Sequence, residues 1–414
     1  MWSQLRIIIS LVLCVFSTFI FLFAFSSVAL CADEQPPRTL VLAHYMPWYE
    51  SQPQSPRYGW HWTMNHFDPT EISGTRRQAA SHYYPLIGCY DSNDKDVLEY
   101  HVLLMKLAGI DGVIIDWYGK DNYLDYALNH RNTQAMIDCV TRLGLRFAII
   151  YEDQTVPKLI KGGVIAKADA IQHAHELLLF VAQNWFKQPN YVRVEQRPLF
   201  LVFGPQYFQD DDWKTIFADI EPQPMYFTLQ RPRGPAVGGF SWPLPAGAAA
   251  ESEAKLQAFY QRAKDWRFSI PAAYPRFHDI YADAGVHDSW GRIEDRDGET
   301  YRHTLRMALD AHPKVVQLVT WNDWGEGTQI EPSVEFGYRD LELTQKFVHQ
   351  FVNPEFKRSP EDLRLPLRLF ELRKASAAKN ANANAARLNK IAQLISVGDL
   401  HSAAQLIHDE ELQR

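Results

Sequence analysis

From Arg38 onward the chain alternates short runs of β-branched and aliphatic residues with stretches of helical periodicity. This rhythm restricts the fold more than any other feature, because strands that re-enter one sheet in the same direction need a crossover, usually a helix. Eight runs qualify as strands: residues 39–43, 112–116, 146–151, 198–203, 225–229, 238–241, 269–272 and 315–321. Helical patterns fall between them at 94–108, 134–143, 166–186, 211–217, 251–266 and 300–311. Val113-Ile114-Ile115 and Phe147-Ala148-Ile149-Ile150 are continuously apolar, as strands covered on both faces should be. The expected architecture is an α/β (β/α)8 barrel of about 320 residues with a helical appendage.

The two ends lie outside this pattern. Arg6 precedes an uncharged apolar run over 7–30, and Asp33-Glu34 follows almost at once. This reads as a secretory leader cleaved near Cys31 or Ala32. The alternative is an uncleaved anchor, since the run is long enough to cross a bilayer. Either exports the domain, whether periplasmic, secreted or membrane-anchored on the extracytoplasmic side. The tail is rich in Ala, Leu, Asn and Lys. Residues 379–386 alternate alanine and asparagine without an apolar face, while 388–412 reads as a helical hairpin about Gly398-Asp399. The expected division is 1–32 signal peptide or anchor, 33–355 barrel, and 356–414 helical extension.

Charge and cysteine usage exclude several functions. With 42 basic against 49 acidic residues and no Lys/Arg block, the chain lacks the basic footprint that nucleic acid binding requires. A membrane enters only through the possible anchor, and oligomeric state is not constrained. Beyond the leader only Cys89 and Cys139 remain, which read as buried free thiols rather than a disulfide framework. His173 and His175 are two apart, where a zinc-binding helix spaces its histidines four apart. Asp91, Asn93 and Asp96 lack the glycine and closing glutamate of a calcium loop and read as helix caps. No metal or cofactor is expected.

The aromatic load is the anomaly: 12 Trp, 19 Tyr and 23 Phe make 13% of the chain. In a βα barrel, reactive groups cluster at the C-terminal ends of strands, and here those ends share one composition. The first is followed by Tyr45, Trp48 and Tyr49, then by Trp60-His61-Trp62. The second ends in Asp116-Trp117, the third reaches Glu152, and the seventh runs into Tyr274. The eighth ends in Trp321-Asn322-Asp323-Trp324-Gly325-Glu326, continuing through Gln329 to Glu331. Carboxylates beside indoles and phenols suit a carbohydrate cleft, pairing stacking faces with acceptors for hydroxyls. Gly325 and Gly327 would let the last loop bend so that Asp323 and Glu326 converge on one bond. Glycosidic cleavage needs one protonated and one ionised carboxyl, and Glu326, beside Trp324, is the candidate acid. The structural alternative is that Asp323 or Glu331 caps a helix or pairs with a barrel arginine.

Residues 321–332, together with Tyr45 to Tyr49, Trp60-His61-Trp62 and Tyr83-Tyr84-Pro85-Leu86-Ile87-Gly88, resemble the glycoside hydrolase family 71/99-like group, whose best-known members are the endo-α-mannosidases. The resemblance spans about residues 40–350 and implies a retaining hydrolase of α-linked glycans. It places Glu326 on the group's general acid/base and Asp323 on the carboxylate that draws the proton from a sugar 2-hydroxyl. It also implies sugar contacts for Glu152, an aromatic platform at Trp117, and a tyrosine near the scissile bond at Tyr274. Aspartate replaces the motif's glutamate at 323 and glycine replaces its histidine at 325, departures that bear on specificity. The competing functions are a non-catalytic glycan-binding or polysaccharide-assembly protein on the same barrel, and a surface scaffold organised by the C-terminal hairpin.

Overall fold

The computed structural model describes residues 38–246, 249–378 and 384–413. The segment read as a leader, and most of the alanine–asparagine stretch, lie outside these residues. Each expected run forms a strand: β1 (Leu40–Tyr45), β2 (Gly112–Trp117), β3 (Arg146–Tyr151), β4 (Arg197–Val202), β5 (Met225–Leu229), β6 (Gly238–Phe240), β7 in two pieces (Phe268–Ile270 and Ala272–Ala273) and β8 (Val315–Leu318). All pairings between them are parallel, and spatial order follows the chain until β8 returns to β1 in the register Leu40↔Val315 to Ala43↔Leu318.

The break in β7 has a covalent cause. Pro271 has no N–H for the ladder, so the chain changes partners across it. The first piece pairs with β6 and the second with β8. The Pro271 carbonyl accepts from the Gln317 N–H at 3.0 Å, and the Ala272 N–H turns to Ser241 Oγ at 2.7 Å. The nine segments therefore close an eight-stranded barrel through one broken strand, where the sequence reads as an unbroken run. Two other junctions depend on glycine for close approach. A Cβ at Gly112 would lie 2.2 Å from the Arg146 carbonyl oxygen, and one at Gly238 would lie 2.1 Å from that of Phe268.

The outer layer comprises α1 (Lys95–Ala108), α2 (Tyr126–Leu143), α3 (Ala170–Asn184), α4 (Asp212–Ile216), α5 (Ala249–Ala263) and α6 (Glu299–Asp310). Asp94 caps α1 by accepting the Asp96 N–H, and left-handed Gly109 ends it. Helix α2 starts at Tyr126 rather than 134. Its asparagine-bearing first half, poor in helix propensity, is held by tertiary bonds such as Asn132 Nδ2 to the Pro47 carbonyl at 2.7 Å.

The tail forms α7 (Leu365–Ala378), α8 (Ala385–Val397) and α9 (Leu400–Leu412), with Gly398 left-handed between the last two. Leu369, Leu372, Ile391 and Ile395 join the main core. Arg373 grips buried Glu99 of α1 through two bonds of 2.6 and 3.0 Å, and Lys374 bonds Asp94 at 2.6 Å. The extension is thus packed on the barrel flank. Among the described residues no helix is long and apolar enough to cross a membrane.

Candidate active site

The strand ends enclose a cleft of about 470 Å³ to which every strand or its following loop contributes. Its floor carries four carboxyls: Asp116 at the end of β2, Glu152 just after β3, and Asp323 and Glu326 in the loop after β8. All four are buried.

The β8 loop is held from within and behind. Asp323 N–H donates to Thr320 Oγ1 at 2.7 Å, and Asp323 Oδ1 accepts the Glu326 N–H at 2.9 Å. The Glu326 carbonyl accepts from the His278 N–H at 2.8 Å and that of Gly325 from Ile280 at 3.0 Å. Gly327 sits at φ +67°, and a Cβ there would meet the His278 carbonyl oxygen at 2.6 Å. Gly325 is different: its φ is not in the left-handed region, and it leaves space that Met64 fills, 3.0 Å from where a Cβ would stand. The turn therefore needs the glycine at 327, while 325 provides room.

Behind the loop lies a buried polar network. Asn322 binds both the N–H and the carbonyl of Met46 at 2.8 and 2.9 Å, and also donates to the Tyr90 hydroxyl at 3.0 Å. Trp324 Nε1 donates to the same hydroxyl, which donates in turn to Glu331. Glu331 pairs with His101, whose other ring nitrogen meets the Tyr45 hydroxyl. Tyr49 joins this support through its hydroxyl, donating to the Asn322 carbonyl and accepting the Trp324 N–H.

Of the residues expected at the site, Trp48, Tyr49, Trp60, His61, Asp116, Glu152, Asp323 and Glu326 line the cleft. Trp48 stacks on His61 at 4.2 Å, and Trp60 stands 40% exposed. Tyr45, Trp321, Asn322, Trp324 and Glu331 lie in or beside the support network. Gln329 is buried, its carbonyl accepting from Arg276. Trp62 donates to the Tyr90 carbonyl. Trp117 packs outward against Phe180 and Trp185, and Tyr274 lies against α6, its N–H donating to Thr304 Oγ1. Of the residues after β7, Tyr281 is the one whose phenol lies near Glu326 and Asp323. Sequence reading also left out His44, Tyr118, Gln154, Trp242 and Trp290 of the lining, and Tyr90 behind it.

The electrostatics separate the two β8-loop acids. Burial, followed by the charges of Asp323, Asp279 and Glu152, pushes Glu326 well above the usual carboxylate range. Its Oε2 is buried without a hydrogen-bond partner. Burial raises Asp323 only to about 6, because the N–H groups of Glu326 and Gly325 stabilise its charge. The proton is thus held more tightly on Glu326 than on Asp323. Asp116 and Glu152 hydrogen-bond to each other; burial drives Asp116 well up and Glu152 to about 7. Burial lowers His44 to about 3, leaving a neutral imidazole. Among the described residues no group of three or more His, Cys, Asp or Glu side chains is arranged to hold a metal ion.

A family model for glycosyl hydrolase family 99 matches residues 38–223, ending before the loop that carries Asp323 and Glu326. Glycoprotein endo-alpha-1,2-mannosidase of Mus musculus is 23% identical over 377 residues, covering 77% of this chain and 76% of that protein. The chain is similar to the endo-α-mannosidase-related proteins of glycosyl hydrolase family 99 over its first half by pattern and over most of its length by sequence. Protein WxcX of Xanthomonas campestris is 24% identical over 367 residues, covering 78% of this chain and 51% of WxcX. The solved GH99 endo-alpha-mannosidase of Bacteroides thetaiotaomicron shares the barrel at TM-score 0.58 and 18% identity, covering 75% of this chain and 97% of that one.

Proposed function

We propose that this chain is a member of that group and an exported retaining glycoside hydrolase cleaving α-linked bonds of a polysaccharide or glycan, with Glu326 as general acid/base and Asp323 as its partner. The observation that carries the reading is the unequal pair on the cleft floor: Glu326, buried with Oε2 unpartnered, holds a proton more tightly than Asp323, whose charge two N–H groups stabilise. In the first step Asp323 takes the proton of the sugar 2-hydroxyl while that oxygen bonds to the anomeric carbon. The glycosidic bond breaks as Glu326 gives its proton to the leaving oxygen. Water then opens the 1,2-anhydro sugar, with Glu326 taking the water's proton and Asp323 returning one to the 2-oxygen, so configuration is retained. Trp48, Trp60 and His61 serve as stacking surfaces, and Asp116 and Glu152 as hydroxyl partners.

The export reading rests on residues 1–32 as leader or anchor. On the same reading 33–355 is the catalytic unit and 356–414 a structural extension.

The test is a panel of α-linked mannans, glucans and fucose- or rhamnose-bearing polysaccharides, with the product anomer followed by NMR. Hydrolysis with initial formation of the α-anomer is expected. Glu326→Gln should lose about 10²- to 10⁴-fold in turnover while still binding. An unchanged rate in that variant on the accepted substrate refutes the assignment. Binding without product release identifies a glycan-binding protein instead.

A further inference from the structure

Trp60 and Trp290, at 40% and 54% exposure, are the exposed tryptophans among the described residues, and both line the cleft that holds the acids. Trp60 is carried by the loop after β1 and Trp290 by the loop after β7. These are the two strands that flank β8 in the barrel, so the loops carrying the two exposed indoles spring from either side of the acid-bearing one. An exposed ring of this size costs apolar hydration unless something covers it.

Trp290 is also held in place. Its loop is closed by the antiparallel pair Phe277–His278 and Arg292–Ile293. Inside, Asp279 Oδ2 accepts the Trp290 N–H at 2.9 Å and the Ser289 hydroxyl at 3.0 Å. His287 stacks on the indole at 5.0 Å with a 20° tilt, and Tyr281 braces it at 5.2 Å. A mobile loop tip would need none of these bonds. A rigid flat ring set at the rim while the carboxyls lie buried below has the form of a pre-organised stacking face.

We infer that Trp290, backed by His287 and Tyr281, is a sugar-stacking platform at the cleft mouth. It binds a pyranose unit of the glycan chain beyond the sugars seated over the acids. The inference rests on the reading that the cleft takes a glycan, and it adds a subsite with its own residue.

The test is affinity electrophoresis in native gels carrying yeast α-mannan, dextran or amylose, with full-length protein bearing Glu326→Gln so that the polymer stays intact. Retardation in at least one gel is expected. Adding Trp290→Ala should weaken it roughly three- to tenfold, the range of one aromatic stacking contact, whereas Trp290→Phe should keep most of it. Trp290→Leu, equally apolar but without a flat face, should behave as the alanine variant does, and an unchanged thermal midpoint shows the loop intact. Equal retardation of the alanine and parent proteins, or none in any gel, overturns the platform. Digestion of the retarding polymer by the unmodified protein separates the two readings. Trp290-dependent retardation without product leaves the platform standing and removes hydrolysis. Product with Trp290-independent retardation does the reverse.

Discussion

Replacing Glu152 by glutamine should flatten the pH dependence of stability, and the size of the effect follows from the cleft. Burial lifts the Glu152 carboxyl from 4.5 to about 7, opposed by hydrogen bonds from Gln154 and Asp116. Between those values the folded protein keeps a proton that the unfolded chain has released. The stability due to that proton is complete below the unfolded value and disappears as pH rises through about 7. A shift of this size corresponds to about 3 kcal/mol over the whole window, of which about 2 to 3 kcal/mol falls between pH 5 and pH 8. Asp116, also driven up by burial first and by Glu152 second, adds in the same direction. An amide at 152 has no proton to lose and can still bond to Asp116. Urea unfolding of both proteins at pH 5 and pH 8 measures the difference, and titrations common to both cancel. The variant should gain on the parent by at least about 2 kcal/mol as pH rises. Parallel stabilities at the two pH values would show that Glu152 does not keep its proton and would refute the electrostatic account of the cleft.

Three further outcomes are expected. Asp279→Asn keeps acceptors for Ser289 and Trp290 but removes one of the charges that hold the proton on Glu326; the alkaline limb of kcat/KM should fall by about one pH unit, and an unmoved limb would contradict this. Gly327→Ala should cost about 1–3 kcal/mol because it forces a left-handed residue onto the His278 carbonyl, whereas Gly325→Ala should cost less than about 1 kcal/mol because flexible Met64 can yield; denaturation midpoints decide the order. Glu99→Ala strips buried Glu99 from Arg373 and Arg142, and should destabilise by about 3 kcal/mol and speed proteolysis near α7. Equal cleavage rates would show that the tail does not depend on this anchor.

How far the site was legible depends on the two-residue alternation of strands. His44 and Met46, Asp116 and Tyr118, and Glu152 and Gln154 line the cleft. Tyr45, Trp117 and Asp153 between them turn elsewhere, Asp153 accepting the N–H groups of Gln206, Tyr207 and Phe208. Composition marked the strand ends as aromatic and acidic, but an all-buried strand such as β2 has no polar face to show which parity points inward. This is why Tyr45 and Trp117 were expected in the cleft while His44 and Tyr118 were passed over. Tyr281 and Trp290 were missed for another reason: their loop has no periodicity, and only its closure onto residues 325–326 brings them to the cleft. The strands themselves were readable throughout because their apolar runs are short and bounded. Pro271 splits the seventh, and the eighth, expected to run to 321, ends at Leu318.

Capping and chemistry, posed as alternatives for Asp323 when the sequence is read alone, become one arrangement. Asp323 Oδ1 accepts the N–H of Glu326 three residues on, which is a capping bond in form. That bond favours the charged form of Asp323, and the charge so fixed favours the proton on Glu326. One tight turn thus sets both the spacing of the two carboxyls and their unequal hold on a proton. Barrel, tyrosine network and left-handed Gly327 hold that turn at the floor of the cleft, where burial lets its charges act strongly. A helix-capping aspartate on the surface would share the local geometry but lack the burial. On the proposed function, that burial is what sets this pair apart from the many βα-loop acids with purely structural roles.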